Sequence, residues 1–262
     1  MPPRARGKVR NRRGRAPVQD GRYTSIRCLS SYEKAAREQG FLSVAGVDEV
    51  GRGCLFGPVF AAAVILDPQR PIRGLCDSKV LDHETRVELS ASIKARSIAW
   101  AVGGADVFEI DQINIFQASR LAMRRAVEAL PVRPDYLLID AVTVDLPLAQ
   151  LALIDGDARC RSIAAASIVA KVHRDECLRR WHEIFPQYNL ASNKGYSTPD
   201  HRRALREFGP TSLHRFSFAP VRASSTKSHW SGYLQTGALP PASFEEPADL
   251  FAQEEMESRP VE

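Results

Sequence analysis

The chain has 262 residues, 44% of them hydrophobic, and a formal charge of +5, which suits one large domain or two small ones around an ordinary soluble core. No apolar stretch is long enough to span a bilayer, and the basic start lacks the apolar segment of a secretory signal. The five cysteines (Cys28, Cys54, Cys76, Cys160, Cys177) are scattered with no CxxC pair; this argues against a disulfide framework or a zinc site and for a reducing, cytoplasmic location.

Residues 1–22 form a basic arm with Arg4, Arg6, Lys8, Arg10, Arg12, Arg13 and Arg15 among prolines and glycines, a composition expected to be disordered. Such an arm would add non-specific affinity for a polyanion through phosphate neutralisation. Residues 225–262 invert the charge, with Glu245, Glu246, Asp249, Glu254, Glu255 and Glu257, and are expected to be a disordered acidic tail. Residues 23–224 remain, a length comfortable for one domain.

Within that domain the first expected element is a short helix, Tyr32 to Gln39, capped by Ser30 or Ser31. A strand follows over Ser43 to Asp48. Pro58 to Leu66 is a near-continuous apolar run, expected as a strand buried on both faces. The glycine-rich turn between the two predicts an antiparallel pair. Asp82 to Arg96 reads as a helix with Leu81, Val87, Leu89 and Ile93 inward, and Ser97 to Gly103 as a third strand. Asn114 to Leu130 carries Ile115, Ala118, Leu121, Ala122 and Val127 at helical spacing. Tyr136 to Asp140 and Leu151 to Ile154 are two more strands. Arg161 to Phe185 is a long helix, and Ser197-Thr198-Pro199 opens a last one with an N-cap and Pro at the first turn. The expected fold class is α/β: a mixed β-sheet flanked by helices, with a helical C-terminal portion.

Four acids stand at element ends. Asp48 and Glu49 close the first strand, Asp140 closes the fourth, and Asp157 precedes the long helix. Ligands on such sheets gather beyond the carboxyl ends of strands. A turn-making or helix-capping use would explain each acid alone. Four brought together would repel one another, and a hard divalent cation, which prefers oxygen ligands, removes that objection. Neighbouring strand residues face opposite ways, so Asp48 and Glu49 can share one site only if the chain turns out of the strand between them; Gly51 and Gly53 would permit such a turn. The same glycines let backbone amides approach a ligand, and Arg52 suits a phosphate. Lys171 and Asp175 lie four apart on one helical face, as an ion pair or as a substrate contact. Tyr196, beside Gly195, is either a packing residue at a capped turn or a platform for a sugar or base, with Thr198 near a phosphate and His201 a turn later.

These pieces, GVDEVGRGCLFGPVFAAAVIL (46 to 66), DSK (77 to 79), INIFQASRLAMRRAV (113 to 127), LLID (137 to 140), GD with SIAAASIVAKVHRD (156 to 175) and GYST with His201, together resemble the ribonuclease HII family, over about Val44 to Ala219. The resemblance implies an RNase H-like fold and an endoribonuclease that cuts the RNA strand of RNA/DNA hybrids. It also implies nicking of duplex DNA on the 5′ side of embedded ribonucleotides, by two-metal catalysis that leaves 3′-hydroxyl and 5′-phosphate ends. The implied metal ligands are Asp48, Glu49, Asp140 and Asp157, holding Mg²⁺ or Mn²⁺. The Gly51-Arg52-Gly53 backbone and Tyr196 are implied to read the 2′-hydroxyl at the RNA–DNA junction, and Lys79, Lys171 and Thr198 are expected as further substrate contacts. A monomer acting on these nucleic acids, with no membrane partner, is expected. The related type HIII has Thr in place of the arginine of the GRG motif, so Arg52 favours HII. Two departures stand out: Asp155 where the family usually has lysine two before Asp157, and Val80 where a second lysine is common. A nucleic-acid-binding module without catalysis would explain the basic arm but not four clustered acids. A metal-dependent nuclease acting on DNA alone is the nearer alternative.

Overall fold

The structure is a computed structural model that describes residues 28–75 and 81–225. The basic arm, Lys79 and Val80, and all but the first residue of the expected acidic tail lie outside the described residues. Along the chain come α1 (Ser31–Glu38), β1 (Val44–Val50), β2 (Val59–Ile65), α2 (His83–Arg96), β3 (Ala99–Ala105), α3 (Val107–Glu128), β4 (Tyr136–Asp140) and β5 (Ala149–Leu153). The helical portion follows with α4 (Gly156–Arg159), α5 (Arg161–Ile184), α6 (Leu190–Asn193), α7 (Pro199–Phe208) and α8 (Ala219–Arg222).

The five strands form one mixed sheet in the order β3-β2-β1-β4-β5. β1 pairs antiparallel with β2, as the intervening turn predicts, and parallel with β4. β1 is therefore central, with apolar residues buried on both faces. On one face α3 packs Ala118, Ala122, Met123 and Ala126 against Ala61, Ala63, Leu137 and Ile139. On the other, α2 and the alanine-rich α5 pack Ile93, Ala165, Ile168 and Val169 against Ala62 and Val64. The approach of α5 to β1 is very close: a Cβ added to Gly46 would sit 2.0 Å from the carbonyl carbon of Ser162. Gly46 thus sets the helix–sheet distance and, through it, what the rest of α5 can reach. A separate cluster of Leu55, Phe56, Leu178, Tyr188, Leu190, Leu205 and Phe216 ties the C-terminal helices to the loop after β1.

Three expectations need correction. α3 begins at Val107, seven residues before the expected Asn114. Asn114 breaks the helix with φ 67°, and its Oδ1 accepts the amides of Phe116 and Gln117 at 3.0 and 3.1 Å, so it caps the second segment rather than starting the element. The true start carries a capping box, Asp106 with Glu109, a signal present in the sequence. Val87 faces out (39% exposed) while Ile93 is buried. And β1 continues through Glu49 to Val50, still paired with β2, so the chain does not turn out of the strand after Asp48.

Candidate active site

The parallel pairing of β1 with β4 places Val47 opposite Ile139. The next residue on each strand is Asp48 and Asp140, so two apolar strands end side by side in carboxylates. β4 stops at Asp140, while β1 runs two residues further. Beyond Asp48, β4 no longer lies alongside, and the longer Glu49 side chain joins the others without a turn. Oxygens of Asp48, Glu49 and Asp140 lie within 4.8 Å of one another.

Each carboxylate is held. Asp48 Oδ1 accepts the Glu49 amide at 2.7 Å, and Ser167, on the α5 face that Gly46 brings close, hydrogen-bonds the Asp48 carboxyl. Asp140 Oδ1 accepts the Gly156 amide at 2.7 Å, which ties the end of β4 to α4. Arg52 Nη1 lies 3.3 Å from Glu49 Oε1. Burial first, then the charges of Glu49 and Asp140, push Asp48 well above the usual carboxylate range. Glu49 is raised as well, chiefly by burial, with Arg52 opposing. Three hard oxygen donors drawn this close, with the proton affinity of Asp48 and Glu49 raised by burial and by their neighbours' charge, fit a divalent cation, which would relieve that repulsion.

Asp157 stands outside this trio of close oxygens. It is buried (4% exposed) on α4, next to the amide that holds Asp140, and its charge adds to the rise at Asp48. Asp155, the departure from the family lysine, is exposed and caps α4 in a left-handed conformation with φ 54°.

Directly beyond β1, the Gly51–Gly57 loop leads to Tyr196. Gly51 has φ +92°, a conformation that suits glycine. Cys54 bridges to Tyr196, and the Leu55 amide donates to the Gly195 carbonyl at 2.7 Å. Tyr196 is 41% exposed beside this loop. Thr198 caps α7, accepting the His201 amide, and hydrogen-bonds Asp200; its hydroxyl is thus occupied in the fold. Lys171 Nζ bonds Asp175 Oδ1 at 2.8 Å on α5, one turn beyond Ser167.

Of the residues beneath this loop, sequence reasoning missed Arg174, Arg215 and His214, and it noted His201 only as lying a turn after Thr198. Arg174 and Arg215 are 2% and 0% exposed. Arg215 donates from Nε to the Gly57 carbonyl at 2.9 Å and from Nη1 to the Arg52 carbonyl at 2.8 Å, strapping both ends of the loop. His201 is wholly buried: Nδ1 lies 2.9 Å from the Tyr196 carbonyl and Nε2 lies 3.2 Å from His214 Nε2. His214 Nδ1 accepts the Thr211 amide at 2.9 Å. That bond fixes the rest: His214 carries its proton on Nε2 and donates to His201, which carries its own on Nδ1 and donates to Tyr196. A buried Arg or His looks like surface charge in a sequence. The available hint was that HRF (214–216) and VHRD (172–175) place cations inside otherwise apolar, structured stretches.

The family model described as Ribonuclease HII matches residues 45–221. A ribonuclease HII of Solibacter usitatus is 59% identical over 200 residues, covering 76% of this chain and 88% of that protein. Among solved structures, the ribonuclease H2 from Pyrococcus horikoshii OT3 superposes with a TM-score of 0.60 at 23% identity, covering 70% of this chain and 97% of that one. Bst-RNase HIII, solved in complex with Mn²⁺, gives 0.54 at 22% identity over 72% of this chain and 71% of its own. The two structures share the fold. The chain belongs to the ribonuclease HII family and is a nuclease of the ribonuclease H type; among the described residues no helix is long and apolar enough to cross a membrane.

Proposed function

We propose that this ribonuclease HII relative hydrolyses the RNA strand of RNA/DNA hybrids and nicks duplex DNA on the 5′ side of an embedded ribonucleotide, leaving 3′-hydroxyl and 5′-phosphate ends. The observation that carries the reading is the carboxylate trio at the ends of β1 and β4, followed directly by a glycine-rich loop that stands beside an exposed tyrosine. Asp48, Glu49 and Asp140 hold a divalent ion, Mg²⁺ or Mn²⁺, and Asp157 contributes to a second. The Mn²⁺ complex of Bst-RNase HIII supports a divalent ion of this kind. Such ions supply a bound water of lowered pKa and charge compensation at the leaving oxygen.

The chain's own residues do the selecting. The 2′-hydroxyl separates RNA from DNA at a given nucleotide, so selectivity needs donors and acceptors fixed against the sugar. The Gly51–Gly53 backbone offers them without side chains in the way, and Tyr196 packs on the sugar from the side. Arg52, whose half-exposed guanidinium lies 3.3 Å from Glu49 Oε1, would bind the adjoining phosphate. Lys171 adds positive charge at the α5 edge. Thr198 acts as the cap that places Tyr196.

The test is a 5′-labelled duplex with one ribonucleotide, set against an all-DNA duplex of the same sequence. The expected result is Mg²⁺- or Mn²⁺-dependent cutting on the 5′ side of the ribonucleotide and none in the control. Cutting of both would assign a DNA nuclease, and binding without cutting would assign a non-catalytic module.

A further inference from the structure

Arg174 belongs to α5, remote in sequence from every residue assigned to the substrate except Lys171, yet its guanidinium is where the parts of the sugar-facing surface meet. A Cβ at Gly51 would lie 2.8 Å from Arg174 Nε, so the loop backbone rests on this side chain. Nη2 donates to Cys54 Sγ at 2.6 Å and also to the Lys194 carbonyl, two residues before Tyr196. The guanidinium carbon lies 5.1 Å from the centre of the Tyr196 ring. Asp175 answers the charge at 3.4 Å and is itself held by Lys171.

We propose that Arg174 is a positioning residue for ribose recognition: it fixes the separation between the Gly51–Gly53 backbone and the Tyr196 ring so that both close on the same sugar. The proposal rests on the reading that this loop and Tyr196 contact the ribose. The chemistry of the side chain carries the argument. A guanidinium is a planar fork that can serve acceptors on separate segments and stack against an aromatic ring at the same time. A lysine is a single point charge and cannot do all three. Burying such a cation is costly, so its place between two loops and a ring, rather than in either hydrophobic cluster, marks a requirement for geometry.

The experiment combines Arg174→Lys and Tyr196→Ala, singly and together, in single-turnover cleavage of the one-ribonucleotide duplex, with Mn²⁺ binding measured by calorimetry on each protein. Arg174→Lys should slow cleavage by about 10-fold or more and leave Mn²⁺ affinity within about twofold of wild type. Because the spacing that Arg174 sets serves only a site in which the Tyr196 ring is present, the double variant should be no slower than Tyr196→Ala by more than about threefold. Multiplying effects would overturn the proposal, as would wild-type cleavage by Arg174→Lys alongside a slow Tyr196→Ala. Should Arg174→Lys and a second variant, Arg174→Gln, both lose Mn²⁺ binding together with cleavage, the residue serves the fold and the proposal is wrong. Wild-type cleavage by Tyr196→Ala is the separate outcome that removes the ribose-reading premise itself, and the proposal with it.

Discussion

The two halves of this site are built on opposite electrostatic plans. At the ends of β1 and β4, carboxylates are pressed together until burial and repulsion raise Asp48 and Glu49 above their ordinary range. A few residues along, the Gly51–Gly57 loop and Tyr196 rest on a lattice of directed hydrogen bonds from Arg174, Arg215, His201 and His214. The first half is strained so that an ion gains by binding. The second is satisfied in advance, so that a sugar meets groups already in place. Ion affinity and sugar selectivity should therefore respond to different mutations, and each half should fail in its own way.

The largest effect should come from the strained half. Asp48→Asn should lower cleavage by about 10³-fold or more, on the order of 4 kcal/mol, while a gel-shift assay still detects substrate binding. Retained cleavage at saturating Mg²⁺ would break the comparison at once. In the satisfied half, Tyr196→Ala should cost about 10- to 100-fold in cleavage of the single-ribonucleotide duplex, with an unchanged circular dichroism spectrum and unchanged Mn²⁺ affinity.

A pH titration separates the halves by sign. Burial lowers His201 and takes His214 down to about 3 from an ordinary 6.5. Both are neutral in the fold, so their contribution to stability is complete above about 6.5 and is lost as the pH falls towards 3, at about 1.4 kcal/mol per pH unit for each histidine that protonates on unfolding. Thermal melts of wild type should therefore fall between pH 7.5 and 5, and His214→Gln should flatten that slope. A slope that His214→Gln leaves unchanged would remove the histidine pair from the account. Asp48 has the opposite sign. Its folded pKa is raised from 3.8, so ionising it costs stability as the pH rises. Without metal at neutral pH, Asp48→Asn should then raise Tm by a few degrees, roughly the shift of a modest stabilising substitution. This smallest effect is also the most pointed, because the same substitution destroys catalysis.

The difference between the halves also explains what is legible in one dimension. An apolar run that ends in an acid is visible in the sequence, and it marks Asp48 and Asp140. Their adjacency is not visible, because it depends on the parallel register that sets Val47 against Ile139. Strand alternation alone asks for a turn to bring in Glu49. Its actual route depends on β4 stopping two residues short of the end of β1, a property of two strands at once. The sheet, its antiparallel start and the α5 packing are legible from β-branched runs, glycines and alanines. The supports of the second half are not, since Arg174, Arg215 and His214 act through distant backbone and carry no local periodicity. Thr198 is legible as a helix cap, and that is the work its hydroxyl does here.

The most direct measurement is calorimetric titration of Mn²⁺ into wild type, Asp140→Asn and Arg174→Lys at neutral pH without nucleic acid. Wild type and Arg174→Lys should bind with affinities within about twofold, and Asp140→Asn at least about tenfold more weakly. Equal Mn²⁺ binding by wild type and Asp140→Asn would contradict this site, because the paired strand ends would then not be where the ion is held.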